Sequence, residues 1–230
     1  MPWQAGVAFN TGEWKDKVFC GGTIICPRFV ISAAHCQKKD GKLLDKSDVI
    51  ILTGATRLPP EGDYKRHEIK EIHIHPESHV LKPPNTHLDF DLIIYELKRP
   101  IRFGISEKPV FLADPNDPIK IDGVNLVTSG WGYIDNEKNQ ADRLQALQLP
   151  FFPWEQCKAK YAASLDIVTE NMVCAGGEGK KDACYADNGG EDHCTFCSFS
   201  NKRDYIFFRK PIITTLIIHH SIHRSSDLAG

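Results

Sequence analysis

The chain has 230 residues, 41% of them hydrophobic and 25% charged, the composition of an ordinary globular protein, which excludes wholesale disorder. Its 28 Lys and Arg against 30 Asp and Glu leave no field that would draw it to nucleic acid or to an anionic membrane. It contains no run of about 18 apolar residues, and its eight cysteines are many for a reducing compartment and point outside the cell.

The chain starts Met1-Pro2-Trp3-Gln4-Ala5 without the basic start and apolar core of a signal peptide, so it reads as a sequence that lacks its natural beginning. Residues 18–35 form two β-rich segments separated by Pro27, a hairpin-like pattern. Residues 49–52, 69–74 and 92–97 add short strands, with turns such as Pro59-Pro60-Glu61-Gly62 between them. Strands of this length and spacing predict a barrel or a sandwich. The strand signal pauses after Arg99-Pro100 and resumes at residues 124–129 and 144–152, which sets a boundary near residue 104. Residues 154–163 have helical spacing, and Met172-Val173-Cys174 reads as another strand. From Thr195 onward the only glycine is Gly230, and residues 212–220 form an apolar block too short to cross a membrane.

Three motifs carry chemistry. The first is Cys20-Gly21-Gly22-Thr23 followed by Ser32-Ala33-Ala34-His35-Cys36, and the second is Asp89-Phe90-Asp91 immediately before the apolar run 92–97. The third is Ala186-Asp187-Asn188-Gly189-Gly190-Glu191, inside the glycine-rich stretch 174–194. Alone, a histidine beside an apolar strand is more often structural, and an aspartate before a strand is more often a solvated turn. Together with Ser129-Gly130-Trp131-Gly132, these motifs resemble the chymotrypsin/trypsin-like serine proteases (peptidase S1 type) over residues 2–194.

The resemblance implies an all-β fold of two packed antiparallel six-stranded β-barrels, the first over residues 1–103 and the second, incomplete, over 104–194, with 195–230 a tail that has no family match. It implies disulfides Cys20–Cys36 and Cys157–Cys174. It gives His35 the role of general base, for which an imidazole titrating near neutrality is suited. Asp91 then orients His35, and Asp89, two residues further from the strand, is the weaker candidate for that role. Asp182, six residues before Asn188, matches the aspartate that pairs with a substrate Lys or Arg. Ala186 and Asn188 fall in the loop whose backbone N–H groups bind the oxyanion.

Four departures from the family pattern concern activity. Asn188 stands where the family has its nucleophilic serine, and an amide is neither a nucleophile nor a group that His35 can deprotonate at neutral pH. The N-terminal Ile or Val that would pair with Asp187 is not in the sequence. Beyond Cys194 there is no Ser-Trp-Gly strand and no closing helix. Cys184 and Cys194 lack their usual partners, Leu126 standing near the position of one of them, and Cys26 and Cys197 are unassigned. The expected function is therefore a trypsin-like endopeptidase domain, cleaving after Lys or Arg, whose present sequence is catalytically impaired. The alternative is a non-catalytic homologue that binds protein. Protein or peptide substrates and protease inhibitors are the partners implied, with no nucleic acid, membrane or cofactor. A metal site built on His73, His75 and His79, or on Cys184, His193, Cys194 and Cys197, is a weaker reading, and no metal is expected.

Overall fold

In the computed structural model the described residues are 1–12, 18–58, 62–78, 80–81, 89–112, 125–132, 140–162, 168–169, 171–176 and 204–208. The N-terminal half builds a closed antiparallel barrel from six strands: β1 (Gln4–Phe9), β2 (Val18–Cys26), β3 (Phe29–Ser32), β6 (Val49–Thr53), β7 (Lys65–Ile74) and β8 (Ile93–Leu97), in the cyclic order β1-β2-β3-β8-β7-β6. Closure leaves this sheet without an unpaired edge.

The local reasons are in the sequence. β6 is Val-Ile-Ile-Leu-Thr, rich in β-branched residues, and it is buried along its whole length. Val49 and Ile51 face the main core with Val7, Ile24, Val30, Ile93 and Leu97, whereas Ile50 and Leu52 join Ala8 and Val18 in a second cluster covered by Leu58 and Tyr64. β2 and β3 are joined through Pro27 and Arg28, where the fixed φ of proline suits a turn. Gly22 packs closely, since a Cβ there would lie 3.1 Å from a Val30 methyl group and 3.2 Å from the Ile31 carbonyl oxygen, and a larger residue would need these neighbours to give way.

Two elements carry the candidate site. A single turn of 3-10 helix, Ala34–Gln37, follows β3 directly and is tied to β2 by the Cys20–Cys36 disulfide. It leads into a small hairpin of β4 (Lys38–Lys39) and β5 (Lys42–Leu43). β8 pairs with β3 so that Ile93 lies opposite Ser32, which sets the residues just before β8 beside those just after β3.

The second unit is a four-stranded antiparallel sheet, open among the described residues: β9 (Asn125–Gly130), β10 (Gln145–Phe152), β11 (Met172–Gly176) and β12 (Asp204–Phe208), in the order β12-β11-β10-β9. The expectation of two six-stranded barrels is thus met by one closed barrel and one open sheet, with β9 and β12 at its two edges. β12 falls in the segment that the sequence left without a place. Its Tyr-Ile-Phe-Phe run has high strand propensity, and it pairs in register with β11 from Met172↔Phe208 to Gly176↔Asp204. Helix α1 (Trp154–Tyr161) lies between β10 and β11, and the Cys157–Cys174 disulfide fastens it to β11 within a cluster of Tyr161, Val168 and Met172.

The two units meet along a polar and backbone seam. Leu58 N–H donates to the Asp142 carbonyl (2.9 Å) and Leu144 N–H to the Thr56 carbonyl (2.8 Å). Ser129 Oγ donates to Gln4 Oε1 (2.6 Å), and the Trp131 indole reaches the Thr56 carbonyl at 3.5 Å.

Candidate active site

His35 and Asp91 are 56 residues apart in the chain and in direct contact in the fold. The Asp91 carboxylate accepts two hydrogen bonds from His35, one from its backbone N–H to Oδ1 and one from ring Nδ1 to Oδ2, each 2.7 Å. The Asp91 side chain is fully buried, whereas 15% of the His35 side chain is exposed. An ionised carboxylate can only accept, so the ring proton sits on Nδ1, and Nε2, 3.6 Å from the Cys36 sulfur, is left as the basic atom. The second hydrogen bond, from the His35 backbone, fixes the carboxylate against rotation. A histidine so held can take a proton at Nε2 while the buried carboxylate stabilises the imidazolium that forms.

Behind this pair stands a second buried link between the same two elements. Tyr95, on β8, donates its hydroxyl proton to Gln37 Oε1 (3.0 Å), and Gln37 Nε2 donates to the Leu44 carbonyl (2.7 Å). Gln37 closes the 3-10 turn that carries His35, so helix and strand are pinned at both His35–Asp91 and Gln37–Tyr95. Burial, and secondarily the Asp91 charge, push the Tyr95 phenol far up its scale, which keeps it a neutral donor.

Asp89 does not compete for His35. Its carboxylate accepts from the Phe90 N–H (3.0 Å) and from the Asn171 side-chain amide, which lies 3.0 and 3.1 Å from its two oxygens. His73 and His75 do not converge either. His73 Nε2 faces Glu96 at 3.7 Å, and the His75 ring stacks on Phe90 with its Nδ1 accepting from the Glu77 N–H. Cys20, His35 and Cys36 do bring three ligand-type atoms together, but both sulfurs are consumed by their disulfide and have no thiolate to offer a metal. Asp182, Ala186, Asn188, His79 and the remaining cysteines 184, 194 and 197 lie outside the described residues. Cys26 is not in a disulfide.

The sequence profile named Trypsin matches residues 1–194. The chain belongs to the trypsin-like serine protease family. It is 32% identical over 191 residues to "Trypsin" of Simulium vittatum, covering 83% of this chain and 72% of that protein. It is 29% identical over 196 residues to "Venom peptide isomerase heavy chain" of Agelenopsis aperta, covering 82% of this chain and 76% of that one. "Ovochymase" of Halocynthia roretzi is 31% identical over 227 residues, which are 93% of this chain and only 13% of that larger protein. Among solved structures, neuropsin, described as a serine protease expressed in the limbic system of mouse brain, superposes with a TM-score of 0.64 at 27% identity, over 82% of this chain and 75% of that chain.

Within this trypsin-like fold, two features had no sequence signal to find them. Gln37 and Tyr95 are unremarkable residues, 58 positions apart, that become partners only when β3 and β8 pair. Asn171 is 82 residues from Asp89, and only the contact between the two units joins them.

Proposed function

We propose that this trypsin-like domain retains the base-and-carboxylate half of a serine-protease site and has lost normal peptide hydrolysis at its nucleophile. The observation that carries the first half is the buried two-point contact between Asp91 and His35. The second half rests on chemistry: Asn188, in the nucleophile's place in the motif, offers an amide where acyl transfer needs a hydroxyl. In this reading His35 is the general base, Asp91 its orienter and Asp182 the residue that receives a substrate Lys or Arg, with the backbone N–H groups around Ala186 and Asn188 directed at the oxyanion. In the catalytic triad of this family, loss of one member leaves roughly 10³–10⁴-fold catalysis over water, far below an intact enzyme. The two disulfides agree with an oxidising, extracellular setting, and among the described residues no helix is long and apolar enough to cross a membrane.

A fluorophosphonate probe tests both halves. The parent chain is expected to remain unlabelled and to hydrolyse Lys- or Arg-containing peptides no faster than the roughly 10³–10⁴-fold remnant over water that an incomplete triad leaves. Asn188→Ser is expected to acquire labelling that His35→Ala then removes. Labelling of the parent chain that depends on His35 would overturn the assignment of impaired activity.

Asn188 also favours a second reading, in which the domain binds a protein partner without cleaving it. Basic peptides and protein protease inhibitors are the ligands to try. Binding abolished by Asp182→Asn, in the absence of turnover, would support it.

A further inference from the structure

The turn that presents Asp91 adopts a conformation that its own residues do not favour. Phe90, between the two aspartates, has φ of +52°. A bulky L-residue is disfavoured in this left-handed region, where its Cβ crowds the following carbonyl oxygen, so neighbouring contacts must hold it. Three do so. The Asp89 carboxylate accepts the Phe90 N–H at 3.0 Å. The Phe90 ring stacks on His75 with centroids 4.8 Å apart and planes within 9°. The Phe90 carbonyl accepts the Leu92 N–H at 2.7 Å, and the Leu92 carbonyl accepts the His75 N–H at 2.9 Å.

One of these restraints is set from outside the barrel. Asn171 Nδ2 donates to Asp89 at 3.0 and 3.1 Å, spanning both carboxylate oxygens. Asn171 is itself fixed. Its backbone N–H donates to Thr169 Oγ1 (3.3 Å), and the Thr169 carbonyl accepts from the Met172 N–H (3.1 Å) and from the Trp154 indole (2.8 Å). That turn belongs to the cluster around the Cys157–Cys174 disulfide. A chain of hydrogen bonds thus runs from the second unit through Asn171 and Asp89 to the N–H of Phe90, the residue bonded directly to Asp91, whose carboxylate holds His35.

We propose that Asn171 is a positioning residue for the His35–Asp91 pair: by holding the Asp89 carboxylate against the Phe90 N–H, it fixes the left-handed turn and with it the direction of Asp91. The proposal rests on the reading of His35 as the base and Asp91 as its orienter. It makes the second unit a structural requirement for a site half built entirely from the first.

The test uses the full chain with both disulfides formed, labelled with ¹⁵N, and follows the His35 Nδ1–H proton, which a carboxylate partner shifts far downfield; His35→Gln assigns it. In Asn171→Ala the exchange of this proton with water is expected to accelerate by roughly tenfold, the factor that goes with one lost charge-assisted hydrogen bond, and Asn171→Asp is expected to do the same through repulsion. The exchanged pair Asp89→Asn with Asn171→Asp keeps an amide facing a carboxylate and is expected to return the slow exchange, which a general loss of stability would not allow. Unchanged exchange in Asn171→Ala, or no recovery in the exchanged pair, overturns the proposal. If the parent chain shows no downfield proton that Asp91→Asn abolishes, the pair itself is absent, and both the proposed function and this inference fall.

Discussion

At the scale of single residues, the segment after β8 carries a buried carboxylate whose neighbours decide its chemistry. Glu107 is fully buried, yet its carboxylate is saturated: Thr53 Oγ1 donates to Oε1 at 2.8 Å, Lys65 pairs with Oε2, and Ser106 Oγ lies 3.5 Å away. Thr53 has one proton and gives it to Glu107, so His67 Nε2, 2.7 Å from Thr53 Oγ1, is the donor of that contact. Burial pushes the Glu107 carboxyl up, but the bonds from Lys65 and Thr53, with Lys65 and His67 charges, outweigh it and hold the group below its ordinary range. Burial lowers His67. Both shifts have the same sign for stability. The His67 share is present above the ordinary 6.5 and is lost as pH falls through its depressed folded value; the Glu107 share is present above the ordinary 4.5 and is lost below it. The melting temperature is therefore expected to fall steadily on acidification from pH 7, and Glu107→Gln to lower stability at neutral pH by about 2 kcal/mol while flattening the acid limb; calorimetry across pH checks both. Tyr95→Phe, which leaves the buried Gln37 Oε1 without its donor, is expected to cost about 1.5 kcal/mol in urea unfolding. The Lys65–Glu107, Thr53–Glu107 and Gln37–Tyr95 contacts were not legible in the sequence, because they span 42 to 58 residues. His35 and Asp91 were legible, because each lies in a contiguous motif; the choice between Asp89 and Asp91 on geometry needed the fold, which turns one to His35 and the other to Asn171.

At the scale of elements, strands with β-branched runs could be read directly, as β6 and β8 show. β1 could not, because Gln-Ala-Gly-Val-Ala-Phe is short of such residues and becomes a strand by pairing with β2 and β6 on either side. The β4–β5 hairpin was equally hidden: Lys-Lys-Asp-Gly-Lys-Leu is polar and exposed, with Asp40 and Gly41 both at positive φ to make the reversal. Gly54 follows β6 at φ of +75° with the Glu107 carboxyl carbon 3.4 Å from where a Cβ would stand, so Gly54→Ala combines backbone strain with crowding at the buried Glu107 carboxylate. Replacing Cys157 and Cys174 together by serine is expected to lower stability by about 3 kcal/mol in the chain-entropy picture, a loss to be read from denaturant curves of the oxidised parent and the double variant.

At the scale of the whole molecule, the closed barrel and the open sheet differ in what they leave exposed. The barrel pairs every strand with two neighbours, whereas the sheet ends on β9 and β12 among the described residues. β12 covers β11 along its full length, from Met172 to Gly176. A chain ending at residue 203 uncovers that row of backbone donors and acceptors, and such edges template association. Light scattering is expected to show self-association of the shortened chain under conditions in which the full chain is monodisperse; an equally monodisperse shortened chain would show that β11 needs no cover.

The Cys20–Cys36 bridge runs from β2 to the helical turn that begins one residue before the imidazole of the site. The tether belongs to the chain neighbour of His35, so the orientation of the imidazole depends on the oxidation state of a bond that is not itself one of the hydrogen bonds to Asp91. A molecule folded with thiols in place of this bridge would keep every residue of the pair and lose the covalent stop that limits how far the turn can swing away from Asp91. The site thus carries a chemical memory of the compartment in which the chain matured.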